Sequence, residues 1–169
     1  MNPMKNVRIE KVTLNIGAGK EQAKLEKGIQ LLKNVVGVTP VKTFTNKRIP
    51  TWGIRPGLPI GCKITLRKGK AKEVLARLLL AKDNKVKPKQ FDGSGNLSFG
   101  IHEYIDVPDV KYDPKIGIMG FEVCVTLERP GHRIKRRSIN KKKVPKKQDI
   151  TQEEAIEFFK KEFNVKVGE

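Results

Sequence analysis

Apolar side chains fall at alternate positions in several short stretches of the chain and at helical spacing in three longer ones. Val12, Leu14 and Ile16 alternate with Lys11, Thr13 and Asn15, which predicts a strand over 7–16. Val7 and Ile9 sit on the opposite parity, so a bulge or burial on both sides is expected before Val12. Val41 to Thr45 reads as a short strand with Lys42 and Phe44 on one face. The clearest strand follows: Ile60, Cys62, Ile64 and Leu66 point one way, and Gly61, Lys63, Thr65 and Arg67 the other. Leu97, Phe99 and Ile101 give another strand, and Phe121, Val123, Val125 and Leu127 a last one. The helical stripes are Leu25, Ile29, Leu32 and Val36 within 20–36, stopped by Gly37, and Ala71, Val74, Leu75, Leu78 and Leu79 within about 70–84. A third helix opens at the capping box Thr151-Gln-Glu-Glu154 and carries Ile156, Phe159 and Phe163 on its inner face.

Three aperiodic segments separate these elements. The loop from Asn46 to Pro59 is too rich in proline and glycine for a helix or a central strand. Asp106 to Gly120 is a long connection, and Arg129 to Lys147 shows no period at all. The order strand, helix, strand, strand, helix, strand, strand, helix predicts an α+β fold: a mostly antiparallel sheet with helices packed on one face. Residues 1–128 read as a single α+β domain, and residues 129–169 as a basic extension and C-terminal helix packed on it. If helices cover the apolar parity, the other sheet face stays open and displays Lys11, Thr13, Asn15, Lys63, Thr65 and Arg67.

Charge gives that open face a meaning. The formal net charge is +18, and it is concentrated: Lys27 to Lys72 holds eleven basic residues and no acid, and Arg129 to Lys147 holds ten and no acid. The remainder is slightly acidic. Two such surfaces repel themselves in isolation, and a polyanion relieves that cost while releasing counterions. Hydroxyl and amide side chains framed by Lys and Arg can hydrogen-bond to phosphates, sugars and base edges together, so RNA is the expected partner. The loop of residues 48–59 adds a stiff, exposed arm. Trp52 on it either stacks on a base or ribose or folds back onto the sheet edge, and Arg55 is placed to clamp phosphate.

Other chemistry finds little support. Gly17-Ala-Gly19-Lys20 sits at a strand-to-helix junction but lacks both the Walker spacing and a third dinucleotide-fold glycine, so it reads as a tight turn. His102 and His132 are the only imidazoles, and no Cys/His cluster has metal spacing. Cys62 and Cys124 form no CxxC pair, and Cys62 falls on the core parity. No signal-like or membrane-length apolar stretch is present, which points to a cytoplasmic protein with reduced thiols and no membrane partner. No enzyme activity, metal or cofactor is expected. An RNA-modifying enzyme using the Gly17–Lys20 turn and a nucleic-acid chaperone are the rival readings.

Five motifs run in order along the chain: Val12-Thr-Leu-Asn-Ile-Gly17, Gly37-Val-Thr-Pro40, the run Gly53 to Arg67, Phe91-Asp-Gly-Ser-Gly-Asn96, and Tyr112-Asp-Pro-Lys-Ile-Gly-Ile-Met-Gly120. In these the chain resembles the ribosomal large-subunit protein L five family. Arg129-Pro-Gly-His-Arg133 and the start at the first strand resemble its archaeal and eukaryotic branch. The resemblance implies a ribosomal constituent that binds 5S rRNA and helps anchor it in the central protuberance. It implies 5S rRNA contacts at Asn15 and Thr65, to which the face residues Lys11, Thr13, Lys63 and Arg67, and Thr39 in the Gly37–Pro40 turn, are added. It also implies a P-site tRNA-facing loop carrying Arg48, Trp52, Ile54, Arg55, Pro56, Gly57, Leu58 and Pro59. A small-subunit head protein, 23S rRNA and a second 5S rRNA-binding large-subunit protein are the other implied neighbours. Arg133, Lys135, Arg136 and Arg137 are expected to touch 23S rRNA or the subunit interface. One position departs: Val38 stands where the family usually has Gln, so the side-chain hydrogen bond expected there cannot form.

Overall fold

The computed structural model describes residues 2–168. Five strands form one sheet: β1 (Arg8–Gly17), β2 (Val41–Phe44), β3 (Pro59–Leu66), β5 (Leu97–Ile101) and β6 (Phe121–Glu128). The spatial order is β2-β3-β1-β6-β5, and every neighbouring pair is antiparallel. A second, two-stranded parallel pair joins β4 (Lys85–Val86) to β7 (Lys166–Val167). Among the described residues there are four α-helices: α1 (Gln22–Val36), α2 (Lys68–Leu80), the single turn α3 (Arg133–Arg136) and α4 (Gln152–Phe163).

Alternation decides which face the helices cover. Val12, Leu14, Cys62, Leu97, Val123 and Val125 are fully buried and share one core with Leu31, Leu32, Leu75, Leu78 and Phe159 from the helices. α1 buries a broader stripe than its spacing predicts: Leu31 and Val35 join Leu25, Leu32 and Val36, while Ile29 is only half-buried. At Gly28 the helix lies close to the sheet, where a Cβ would sit 3.2 Å from Ile16 and 3.4 Å from the Cys62 sulfur. Gly37 ends α1 in the left-handed region, its N–H donating to the Lys33 carbonyl at 2.7 Å. α2 stops four residues short of the predicted end, because Asp83 and Asn84 take positive φ and the Asn84 N–H turns back to the Leu79 carbonyl.

The C-terminal residues enter the same core. Phe159 of α4 packs edge-on to Phe91, with ring centroids 5.7 Å apart, and Ile150, Ala155 and Val165 are buried beside it. The α4 N-terminus carries the expected reciprocal capping box, with Thr151 and Glu154 each accepting the other's N–H. The long connection after β5 is held by Tyr104, a buried residue whose hydroxyl accepts the Asp113 N–H at 2.9 Å, and Val107 and Ile116 join the same core.

The parity switch in β1 is a bulge. Ile9 opposes Leu127 and Lys11 opposes Thr126, leaving Glu10 as the extra residue. One contact elsewhere in the sheet is closer. A Cβ on Gly61 would sit 2.5 Å from the Ile16 carbonyl oxygen and 3.0 Å from the Thr43 hydroxyl. Backbone cannot yield there, so Gly61→Ala is expected to destabilise by about 1–3 kcal/mol, read as a lower midpoint in a denaturant titration; an unchanged midpoint would mean that β3 shifts without cost.

Candidate nucleic-acid interface

The sheet face opposite the helices is built by register. Thr13 of β1 lies directly opposite Thr65 of β3 on one side and Cys124 of β6 on the other, and Cys124 in turn opposes Ser98. The next row runs Val41, Lys63, Asn15, Glu122, Gly100. Lys63, Thr65 and Arg67 are exposed, and Lys11, Thr13 and Asn15 are half-buried. The six face residues expected from alternation therefore come together on one surface. Thr39 is also exposed, but it lies in the α1–β2 connection, two residues ahead of Val41 at the margin of that surface.

The polar parity of β5 and β6 adds residues to this face, and pairing sets them beside β1. Ser98, Gly100, Glu122, Cys124 and Thr126 share it, and Glu122 accepts a hydrogen bond from the Asn15 amide at 3.2 Å. The face thus has short side chains at its centre, with Glu122 as the acid among them. Burial and the neighbouring Glu122 carboxylate both raise the Cys124 pKa, so the thiol stays neutral. Cys62, on the core side, is pushed by burial up to about 11 and is chemically silent.

At the end of the face where β1 bulges, arginine and glutamate interlock. Glu128 accepts from Arg8 at 2.8 Å and from Arg136 at 2.5 Å. Glu10, the bulge residue, accepts from Arg136 at 2.5 Å and from Arg67 at 3.2 Å. Arg136, exposed at the surface, also bridges α3 to the sheet. Arg67 is held over the sheet end by Glu10, though a guanidinium with five donors keeps others available. Arg133, Lys135 and Arg137 are exposed, with Arg137 donating to the Asn140 carbonyl.

The basic segment is also pinned at its start. Arg129 is buried and donates to both Glu154 carboxylate oxygens at 2.6 and 2.7 Å, while its Nε has no partner. The Arg129 carbonyl lies 2.8 Å from His132 Nδ1.

The loop after β2 is a closed hairpin. Ile49 and Ile54 exchange backbone hydrogen bonds at 3.0 and 3.1 Å, around a 3₁₀ turn of Pro50–Trp52 that ends at Gly53 in the left-handed region. Thr45 N–H donates to Leu58 and Gly57 N–H donates to Thr45, closing the base. Trp52 is 66% exposed at the tip and is not folded back onto the sheet edge. Arg48, Arg55, Pro56 and Gly57 are exposed with it. Ile54 is a correction: at 7% exposure it is the plug that the hairpin closes over and cannot face a partner. Leu58 is half-buried, and Pro59 belongs to β3, which it opens at a register shift opposite Phe44.

Fold and surface together define an α+β protein with one helix-covered sheet face and one open, largely basic face. Comparison with known proteins carries this further. The family described as "Ribosomal protein L5" matches residues 2–55, and the C-terminal part of the same ribosomal family matches residues 59–158. The large ribosomal subunit protein uL5 of Methanosphaera stadtmanae is 46% identical over 167 residues, covering 99% of both chains. That of Methanobrevibacter smithii is 48% identical over 165 residues, covering 98% of this chain and 97% of its own. That of Nanoarchaeum equitans is 48% identical over 167 residues, covering 98% of each. The chain belongs to the ribosomal protein L5 family. It is a structural constituent of the large ribosomal subunit, with a role in translation and no enzymatic one.

Proposed function

We propose that this protein binds 5S rRNA through the open sheet face and helps attach it to the large subunit in the central protuberance. The observation that carries this reading is the register that sets Thr13 opposite Thr65 and Asn15 opposite Lys63 on an exposed surface. The wide, shallow minor groove of an RNA helix displays 2′-hydroxyls and base edges. A row of short hydroxyl and amide side chains meets that groove without steric conflict, and Lys11, Lys63 and Arg67 reach the flanking phosphates. Thr39 contributes from the margin.

The closed hairpin forms the second contact. Trp52 at its tip offers a stacking platform, and Arg48 and Arg55 offer charge to the P-site tRNA, with Pro56 and Gly57 shaping the turn. Its backbone bonds hold the loop in shape before docking, which lowers the ordering cost. The family resemblance supports 23S rRNA, a second 5S rRNA-binding protein and a small-subunit head protein as further neighbours, with Arg133, Lys135 and Arg137 turned toward rRNA.

Hydroxyl-radical footprinting of 5S rRNA on the full chain tests the reading. A continuous protected stretch of RNA helix is expected, unchanged by Arg55→Ala, whereas retention of P-site tRNA on reconstituted ribosomes falls in the same variant. Loss of the 5S footprint in Arg55→Ala would show that loop and sheet are not separate sites.

A further inference from the structure

The basic segment after β6 does not stand apart from the sheet face. Arg136 carries it across the bulged end of β1, and a groove of about 1010 Å³ opens between the two. Lys11 and Thr126, opposite each other on the sheet face, form one side; Lys135, Lys141, Lys142 and Lys143 form the other. Ser94 and Asn96 complete it beside β5.

Its chemistry selects the occupant. The volume lies at the upper end of small-molecule sites, which run to about 1,000 Å³, and thirteen of its sixteen lining residues carry charged or polar side chains. Of the three lining carboxylates, Glu10 and Glu128 are already satisfied by Arg8, Arg67 and Arg136. Asp149 alone has no ion-pair partner among the described residues, whereas none of the four segment lysines has one. The field in the groove is therefore positive. The segment is also fixed at both ends, by buried Arg129 on Glu154 and by buried Ile150, so its lysines are positioned rather than trailing.

We propose that this groove holds the sugar–phosphate backbone of the same RNA that lies on the sheet face, so that sheet and basic segment form one continuous binding surface. The inference rests on the reading that the open face binds 5S rRNA. The centre of the sheet contributes contacts to sugars and base edges, and the groove lysines add phosphate contacts to those of Lys11, Lys63 and Arg67. These two contributions differ in salt dependence, because each neutralised phosphate adds about 0.7–0.9 to the slope of log affinity against log salt.

The test is a salt titration of 5S rRNA binding by the full chain carrying Lys141→Gln, Lys142→Gln and Lys143→Gln together, with Thr65→Glu measured in parallel. All three lysines are exposed, so folding is unaffected, and a thermal melt checks it. The expected result is a slope lower by about two to three, with protection lost only along one edge of the footprint. An unchanged slope in a variant that binds as wild type, the result an acidic protein occupant would give, overturns the groove while leaving the sheet reading intact if Thr65→Glu abolishes binding. If Thr65→Glu binds as wild type as well, both readings fall together.

Discussion

Glu154→Ala is expected to cost about 3 kcal/mol of stability, at the lower end of the range for breaking a buried ion pair because the Glu154 side chain is 43% exposed. The asymmetry lies in Arg129. Its side chain is only 8% exposed, its Nε already lacks a partner, and its remaining interaction with charge is the pair of hydrogen bonds to Glu154. Truncation leaves a guanidinium buried with nothing to offset its desolvation, and it also removes one half of the α4 capping box. For a chain of this size the melting temperature should fall by roughly 10 °C. Arg129→Met combined with Glu154→Gln should recover most of that loss, since removing both charges also removes the desolvation penalty. The pair also has a pH signature. Burial pushes the Glu154 carboxyl up, but the Thr151 amide and the Arg129 guanidinium together outweigh it and leave the pKa below its ordinary value of 4.5. A carboxylate depressed in the folded state contributes stability above that ordinary value and loses it as pH falls through the lower, folded one. The gap between wild type and Glu154→Ala should therefore be full at neutral pH and close progressively below about pH 4.5. A Glu154→Ala protein melting within about 1 °C of wild type at pH 7 would mean that the basic segment is not anchored through Arg129.

The parts of this molecule that alternation governs were legible in the sequence. Parity alone assigned Lys11, Thr13, Asn15, Lys63, Thr65 and Arg67 to one face, and the switch at Val7 and Ile9 announced the bulge that the structure places at Glu10. Strand pairing is long-range, and local pattern carries no information about it. Parity in β6 puts Glu122 on the open side, but it is 107 residues from the Asn15 it bonds, so its place beside Asn15 was invisible until β6 was set beside β1. The same limit hid the partners of the arginines. A count of charges does not show that two glutamates, one in the bulge and one at the end of β6, engage Arg136. Ile54 was misread for a different reason. Proline and glycine content marks a segment as a loop, but a loop that closes on itself has an inside, and the Ile49–Ile54 bridge puts Ile54 there.

Thr65→Glu should leave the fold intact and weaken 5S rRNA binding by about 100-fold or more. The side chain is exposed on a paired strand, and its neighbours across the ladder are Thr13 and, beyond it, Cys124, so no core contact is touched. Stability should stay within about 0.5 kcal/mol of wild type. Binding suffers in three ways at once. The hydroxyl contact is lost, a carboxylate is set against phosphates, and Lys63 and Arg67, two residues away on the same face, acquire an internal partner that competes with the RNA. Like-charge juxtaposition in an interface costs several kcal/mol, and each 1.4 kcal/mol is a factor of about ten. Thr65→Ser separates chemistry from shape: it keeps the hydroxyl and should bind within about threefold of wild type, because a lost methyl contact is worth under about 1 kcal/mol. Electrophoretic mobility shift with 5S rRNA at fixed salt reads both variants. If Thr65→Glu stays folded and binds like Thr65→Ser, the RNA does not lie on this face, since no arrangement of phosphates over the centre of the sheet could tolerate a carboxylate there.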